Sequence, residues 1–494
     1  MKRIFYSLIL VLSIFILDFR FCQAQNQNNI WCFGDSSGID FNQSPPVPFH
    51  TSLNTRGSCV SIADTIGSLL FYAETQMNAN DRATNVYDRN NNQMPNGDNI
   101  IGEGCYSELL IIPFPGNSEK YYLFSLTIFS HPGLYYSIID MSLNSGMGDV
   151  TQKNVPVNVN PIWDAMAAVK HANGRDWWLI NKDHDFGGSL GNNLFYIYLI
   201  TPDSIIHFQQ SIGSINQTNI GGFCFSNSGD KLLFWSANGL LELFDFDRCN
   251  GVLSNYKLVS NIASPNYRYI GGAFSPNDNY FYASINFLPS EIYQYDINAS
   301  NLFASRVSVA SVDTPTYAGG LLRLAPDNKI YWSCAWNDSL HYNYPYPDSA
   351  FNPTNMNLSV INDPNQAGSA CNFSYFNFSL GSGRTYYGLP NNPDYSLGPL
   401  AGSICDTLTS IACILYESQV KISPNPFREN VNIEQLDQSA EGHLYRIFDN
   451  MGRLVYSNRI KAEFETLNLS LLRSGLYTLF IDNHPLSYKL IKLN

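Results

Sequence analysis

Gly271-Gly272-Ala273-Phe274-Ser275-Pro276-Asn277-Asp278-Asn279-Tyr280-Phe281-Tyr282 decides the fold. Its first apolar run stops at Ser-Pro, because proline fixes φ and has no N–H to offer a strand ladder. Asn-Asp-Asn then turns the chain, since these side chains tolerate left-handed backbone or bond locally to it. A second extended run follows at once. The pattern recurs in Gly221-Gly222-Phe223-Cys224-Phe225-Ser226-Asn227-Ser228-Gly229-Asp230-Lys231-Leu232-Leu233-Phe234. It recurs again in Gly319-Gly320-Leu321-Leu322-Arg323-Leu324-Ala325-Pro326-Asp327-Asn328-Lys329-Ile330-Tyr331-Trp332. The starts lie 50 and 48 residues apart. Alternating apolar positions and tight turns at such an interval predict one small antiparallel sheet per repeat.

The glycine pairs open the innermost strand of each sheet, where strands converging on one axis leave little room for side chains. That is a β-propeller blade. Weaker copies start near Cys59, Ser107, Met166 and Ala370. Seven units within residues 28–399 therefore predict an all-β, seven-bladed propeller, with six or eight blades as alternatives. Stacked helices are excluded, since no 3.6-residue apolar stripe persists past a few turns. Residues 31–41 lie outside the repeats and are expected to lend a strand to the last blade, closing the ring.

The two ends of the chain carry addresses. Lys2 and Arg3 precede an apolar run over residues 4–17, and Cys22-Gln23-Ala24 places small residues before a cut at Gln25. This is the layout of a secretory signal peptide, residues 1–24. Residues 421–494 hold nine basic and eight acidic side chains, whereas residues 25–420 hold 16 basic and 32 acidic. They open on Ile422-Ser423-Pro424-Asn425-Pro426-Phe427 and pass through Ile447-Phe448-Asp449-Asn450-Met451-Gly452-Arg453. Leu472-Arg473-Ser474-Gly475-Leu476-Tyr477 and Tyr488-Lys489-Leu490-Ile491-Lys492-Leu493 follow. This succession resembles the C-terminal sorting domain of the type IX secretion system of the Bacteroidota. The resemblance implies a small β-sandwich recognised by the secretion machinery. Its motif residues here would be Pro424, Asn425, Pro426, Gly452, Gly475, Tyr477, Lys489 and Lys492. A linker over residues 400–420 would separate it from a propeller over residues 25–399 and would hold the cleavage site. The body, through Trp31–Phe41, Val86-Tyr87-Asp88-Arg89-Asn90, Met94-Pro95-Asn96-Gly97, Tyr136–Asn144, Gly148-Asp149-Val150 and Gly388-Leu389-Pro390-Asn391, resembles secreted propellers that carry such domains. That likeness brings no catalytic residues with it.

The acidic body excludes nucleic acid and anionic lipid as partners, because phosphate binding needs clustered Lys and Arg. No stretch after the signal peptide is long and apolar enough to span a bilayer. Nine cysteines follow the signal peptide, an odd number, with no C-x-x-C. Most lie in apolar strand-like runs suited to buried thiols, and Cys405 with Cys413 is the expected bridge.

Three groups of residues invite a site. Gly34-Asp35-Ser36-Ser37-Gly38 fits G-x-S-x-G and looks like the serine-protease G-D-S-G-G signature. A nucleophile elbow needs a helix next, and an extended, proline-broken stretch follows instead, so the reading is a turn. Asp183-His184-Asp185 offers three ligands on one loop, with Ca²⁺ favoured by oxygen donors; Asp98 and Glu103 form a weaker pair. Trp336, residues 341–346 and Asn266-Tyr267-Arg268-Tyr269 offer aromatic rings for a sugar or peptide, or else pack loops. Five Asp-Ser/Thr-apolar triplets, at Asp64, Asp203, Asp338, Asp348 and Asp406, resemble O-glycosylation acceptors of secreted Bacteroidota proteins.

No catalytic constellation and no cofactor is read. The expected function is an exported interaction module, at the cell surface or outside the cell, with the type IX machinery and a glycan or surface protein as partners. The alternatives are a propeller-fold hydrolase or lyase acting on extracellular polysaccharide, and a structural role in surface assembly.

Overall fold

The computed structural model describes residues 25–78, 81–104, 106–128, 131–184, 191–216, 220–262, 268–286, 289–312, 317–336, 351–406, 420–435, 444–449, 453–459, 464–481 and 487–493. The signal peptide, Asp185, Gly452, Cys413, residues 341–346 and the stretch 407–419 lie outside the described residues. Two compact units divide between Thr409 and Ser410.

In the first unit the described residues form seven antiparallel sheets in chain order. A three-stranded sheet spans residues 30–54, and four-stranded sheets span 59–101, 109–158, 167–216, 221–261, 269–312 and 317–379. Each is a meander of sequential neighbours. They are blades 1 to 7 of a β-propeller.

The repeat does what its residue types dictate. In blades 5, 6 and 7 the strand-ending turn closes through Gly229, Asp278 and Asn328 N–H groups donating to the Ser226, Ser275 and Ala325 carbonyls. Those three residues hold φ of 74°, 56° and 62°. This is the left-handed region that glycine, Asp and Asn tolerate best. Behind the turn, a Cβ on Gly222 would lie 2.2 Å from the Trp235 ring, which the second strand aims inward. Large rings then fill the wedges between blades: Trp163, Trp178, Phe195, Phe223, Phe234 and Phe244 share one buried cluster spanning blades 4 and 5.

Two sequence expectations fail. Residues 31–41 do not complete the last blade. Ile30–Phe33 and Asp35–Asp40 pair with each other and with Val47–Asn54, making a blade of their own. No blade begins near Ala370; Phe373–Ser379 is the outer strand of blade 7. The count of seven survives because one error offsets the other.

Closure is achieved by a different device. After blade 7 the chain runs through the centre of the ring. The Arg384 N–H donates to the Asp35 carbonyl at 2.9 Å, and the Arg384 carbonyl accepts from the Asp35 N–H at 2.8 Å. The Arg384 guanidinium meets the Asp35 carboxylate at 2.7 Å. Farther on, the Gly388 N–H reaches the Arg56 carbonyl, Tyr387 O accepts from the Leu321 N–H, and the Asn391 N–H reaches the Cys59 carbonyl. The Asn391 side-chain amide donates to Leu109 O and Met166 O, both at 3.0 Å, and its oxygen accepts from Arg323 at 2.9 Å. One residue thus touches blades 2, 3, 4 and 7, or the strand starts beside them, which places it on the axis. Beyond the channel, Cys405 is bridged to Cys249, with Cα atoms 5.6 Å apart. The expected Cys405–Cys413 bridge is therefore replaced by one that fastens the emerging chain to blade 5. The Cys32, Cys59, Cys224, Cys334 and Cys371 thiols are free.

The second unit has a three-stranded sheet of Val420–Ser423, Asn430–Gln435 and Phe464–Asn468. A four-stranded sheet orders Leu454–Arg459, Leu444–Asp449, Gly475–Ile481 and Ser487–Lys492. Phe427, Val431, Ile433, Tyr445, Ile447, Leu467, Leu479 and Leu490 form its buried core, as a sandwich requires.

The axial segment admits a direct test. A Cβ on Gly388 would sit 2.0 Å from the Gly57 Cα, whereas one on Gly398 meets nothing within 4 Å. Gly388→Ala should lower the urea unfolding free energy by about 1–3 kcal/mol, and Gly398→Ala should stay within about 0.5 kcal/mol of the parent.

Candidate ligand site at the channel mouth

With the axis filled, a recess of about 400 Å³ lies at the mouth where the inner strands end. Its walls are inner-strand residues of four blades: Leu110 of blade 3, Ala167 to Val169 of blade 4, Phe223 to Phe225 of blade 5, and Phe274 of blade 6. Arg323 and Leu324 of blade 7 complete the ring. The rim is rich in side-chain amides, with Gln25, Asn26, Asn28, Asn29, Asn227 and Asn328. The axial segment contributes Asn391, Asn392, Pro393 and Asp394.

Hydrogen bonds hold this rim in shape. Asn392 accepts from the Ser61 N–H at 3.1 Å and donates to the Asn28 oxygen at 3.0 Å. The Asn227 and Ser228 N–H groups both donate to the Asp278 carboxylate, at 2.8 Å each. Asp394 accepts from the Ser396 N–H and hydroxyl. Lys170 donates to the Tyr395 carbonyl at 2.9 Å, and Arg248 donates to the Gly398 carbonyl at 2.6 Å. Burial lowers the pKa of both Lys170 and Arg248, and the nearby Asp394 carboxylate pulls each back up. At the floor, Arg323 is buried and its pKa is likewise lowered by burial. The wall thiol of Cys224 is pushed up to about 11 by burial, so it stays protonated at neutral pH.

The residues singled out from sequence do not converge on this recess. Asp183 accepts from the Asn192 amide at 2.6 Å and the Tyr196 hydroxyl at 2.8 Å. The His184 N–H donates to the Pro161 carbonyl, and Asp185 lies outside the described residues. Among the described residues no group of three or more His, Cys, Asp or Glu stands close enough to hold a metal ion. Asp98 is exposed and pairs with Lys153 at 3.4 Å. Glu103 is buried, accepting from the Thr127 hydroxyl at 2.6 Å and the Ile128 N–H at 3.2 Å. Asp35 through Gly38 lie in a hairpin strand, not an elbow, and the Ser37 hydroxyl donates to the Arg384 carbonyl. Trp336 packs beside Tyr386 and Tyr387, and Tyr269 is buried against Tyr295.

In the second unit the motif residues have visible tasks. Asn425 donates to Lys489 O at 2.6 Å and accepts from the Ile491 N–H at 2.8 Å, so one side chain mimics a strand partner. It is flanked by Pro424 and Pro426, which have no N–H to give. Lys492 is buried along the Phe427 ring and donates to the Arg428 carbonyl. Tyr477 is buried with its hydroxyl on the Arg473 carbonyl, Gly475 begins that strand, and Lys489 is exposed.

Residues 421–492 match the family of secretion system C-terminal sorting domains. They are a type IX sorting domain, and the chain is addressed to the cell surface or the extracellular space. No helix among the described residues is long and apolar enough to cross a membrane. No curated protein matches the sequence. Among solved structures, a Bacteroides uniformis protein provisionally assigned as a 6-phosphogluconolactonase is similar at 15% identity, over 64% of this chain and 94% of its own, with a TM-score of 0.40. The Cps50 (Swd1) β-propeller domain of Myceliophteria thermophila is similar at 12% identity, over 62% and 93%, with a TM-score of 0.38. PorZ, a surface component of the type IX secretion system of Porphyromonas gingivalis, is similar at 11% identity, over 94% and 80%, with a TM-score of 0.26. The propeller assignment rests on the strand order of this chain.

Sequence reading passed over Lys182, one residue before the metal candidate. Its ammonium is buried over the rings of Trp163, Phe195 and Phe234 at 5.3, 5.6 and 5.3 Å, and donates to the Asn192 carbonyl at 2.9 Å. Burial pushes its pKa down to about 8, against the pull of Glu242 and Asp183. Above pH 8 the folded chain sheds this proton while the unfolded chain keeps it, so this group makes stability rise with pH. Between pH 8 and about pH 9.5 its contribution should grow by about 2 kcal/mol. Across that window the urea unfolding free energy of the parent should gain about 2 kcal/mol relative to that of Lys182→Met. The difference isolates Lys182 from the buried thiols, whose titration on unfolding acts in the opposite direction.

Proposed function

We propose that the exported propeller is a non-catalytic binding module whose ligand is a glycan taken up in the channel-mouth recess. The observation that supports this most is the filled axis. Residues 384–395 occupy the channel where a substrate would meet groups from many blades, and what remains is a recess rimmed by amides. Asn and Gln side chains each offer donors and an acceptor, which suits the paired donor and acceptor character of sugar hydroxyls. The apolar wall of Phe223, Phe225 and Phe274 gives a sugar face a surface to lie on. Delivery is the task of residues 421–494, with the type IX machinery as the partner that reads them.

The protein recovered from culture should bind a restricted set of saccharides on a glycan array and leave them chemically intact. Cleavage of a bound polysaccharide or lactone, especially if abolished by chelation, would establish the hydrolase or lyase reading instead. Removing residues 421–494 should trap the protein in the periplasm. Undiminished appearance outside the cell would refute the delivery assignment.

A further inference from the structure

Arg323 is a buried charge that the propeller fold does not account for. It sits on the inner strand of blade 7 at the floor of the recess, 9% exposed. Every partner of its guanidinium is neutral: Pro390 O at 3.1 Å, the Asn391 oxygen at 2.9 Å and the Ser107 hydroxyl at 3.4 Å. Nε and Nη2 make these bonds, and among the described residues Nη1 has no hydrogen-bond partner. Among the described residues no carboxylate pairs with Arg323. The ionisable groups that act on it are the Cys224 and Cys59 thiols, both held neutral by burial.

A buried guanidinium without a counter-charge is costly, by several kcal/mol for an ion with no partner. Packing alone does not require it, since an apolar chain would line the channel at no such cost. The charge balance of the mouth points the same way. Among the described residues Arg323 and Asp394 are the only charged ones lining the recess, and Asp394 lies near Lys170 and Arg248. The floor of the recess thus holds a cation without a carboxylate partner, while the Asp278 carboxylate at the rim is taken up by the Asn227 and Ser228 N–H groups.

We propose that the recess selects a carboxylate-bearing sugar, a uronate or similar acidic saccharide, with the carboxylate accepting from Arg323 Nη1 and the hydroxyls on the amide rim. This deepens the binding reading above and rests on it. A single guanidinium neutralises one negative charge, which matches a carboxylate; a phosphate dianion would keep an uncompensated charge near Asp394. Arg is also the side chain whose planar fork fits carboxylate best.

The test is calorimetric titration of the exported protein, as recovered from culture, with D-glucuronate, D-galacturonate, D-glucose and inorganic phosphate. One uronate should bind at least tenfold more tightly than glucose and more tightly than phosphate. Arg323→Gln should abolish that tenfold preference. Equal affinity of the parent for uronates and glucose would overturn the inference while leaving a sugar site in place. Phosphate binding more tightly than either uronate would overturn the carboxylate assignment. Binding to none of the four, alongside glycan-array signals that survive Asn328→Arg at the rim, would show that the recess is not the ligand site and overturn both readings. The comparison among ligands on the parent protein needs no variant, so poor folding of Arg323→Gln does not blunt it.

Discussion

A ring of seven inner strands leaves a hole on its axis, and the chain's own residues 384–395 fill it. The decisive contact is the Asn391 side chain, whose amide bonds carbonyls at the start of blades 3 and 4 while its oxygen takes the Arg323 guanidinium. Inner-strand carbonyls facing an empty pore would otherwise need water, because buried backbone groups without partners are expensive. A threaded segment supplies these partners and also closes the ring. Strand exchange between first and last blades is then unnecessary. That is why Ile30–Phe33 and Asp35–Asp40 are free to build a blade with their own neighbour. The close passage of Gly388 over Gly57 and the Asp35–Arg384 ion pair belong to the same arrangement.

What the residues reveal in advance follows from where the physics is local. Ser-Pro stops, Asn-Asp turns and glycine pairs act within a few residues, so blades 5 to 7 are readable from three short stretches. The first blade is not, because its Gly34 turn and short strands lack the glycine pair and invite a protease-like motif reading. The axial segment is harder still. Thr385-Tyr386-Tyr387-Gly388-Leu389-Pro390 has no strand alternation, and its partners lie on blades far away in sequence. The Cys249–Cys405 bridge spans 156 residues and follows from the route of that segment, not from cysteine spacing. Arg323 lies inside the Gly319–Trp332 repeat. Its importance depends on which face of the inner strand meets the axis and on the missing carboxylate, neither of which is a property of the repeat.

The two units divide the work. The terminal sandwich uses Asn425 between two prolines to close its last strand, and its type IX sorting role sets where the protein goes. On the proposed reading the propeller sets what it meets there. Filling the axis removes the deep central cavity and leaves a shallow polar recess with one buried cation. Such a surface is better suited to holding a ligand by shape and charge than to gathering several catalytic groups around it. The bridge to Cys405 keeps the emerging chain against blade 5, so the axial segment is anchored at both ends.

The central claim is that residues 385–391 lie packed on the propeller axis. Amide hydrogen exchange of the intact protein measures this most directly. The Gly388 and Asn391 N–H groups should exchange as slowly as the inner strands Tyr269–Phe274 and Tyr317–Leu324. Exchange at the rate of exposed loops would show an open channel and contradict the account.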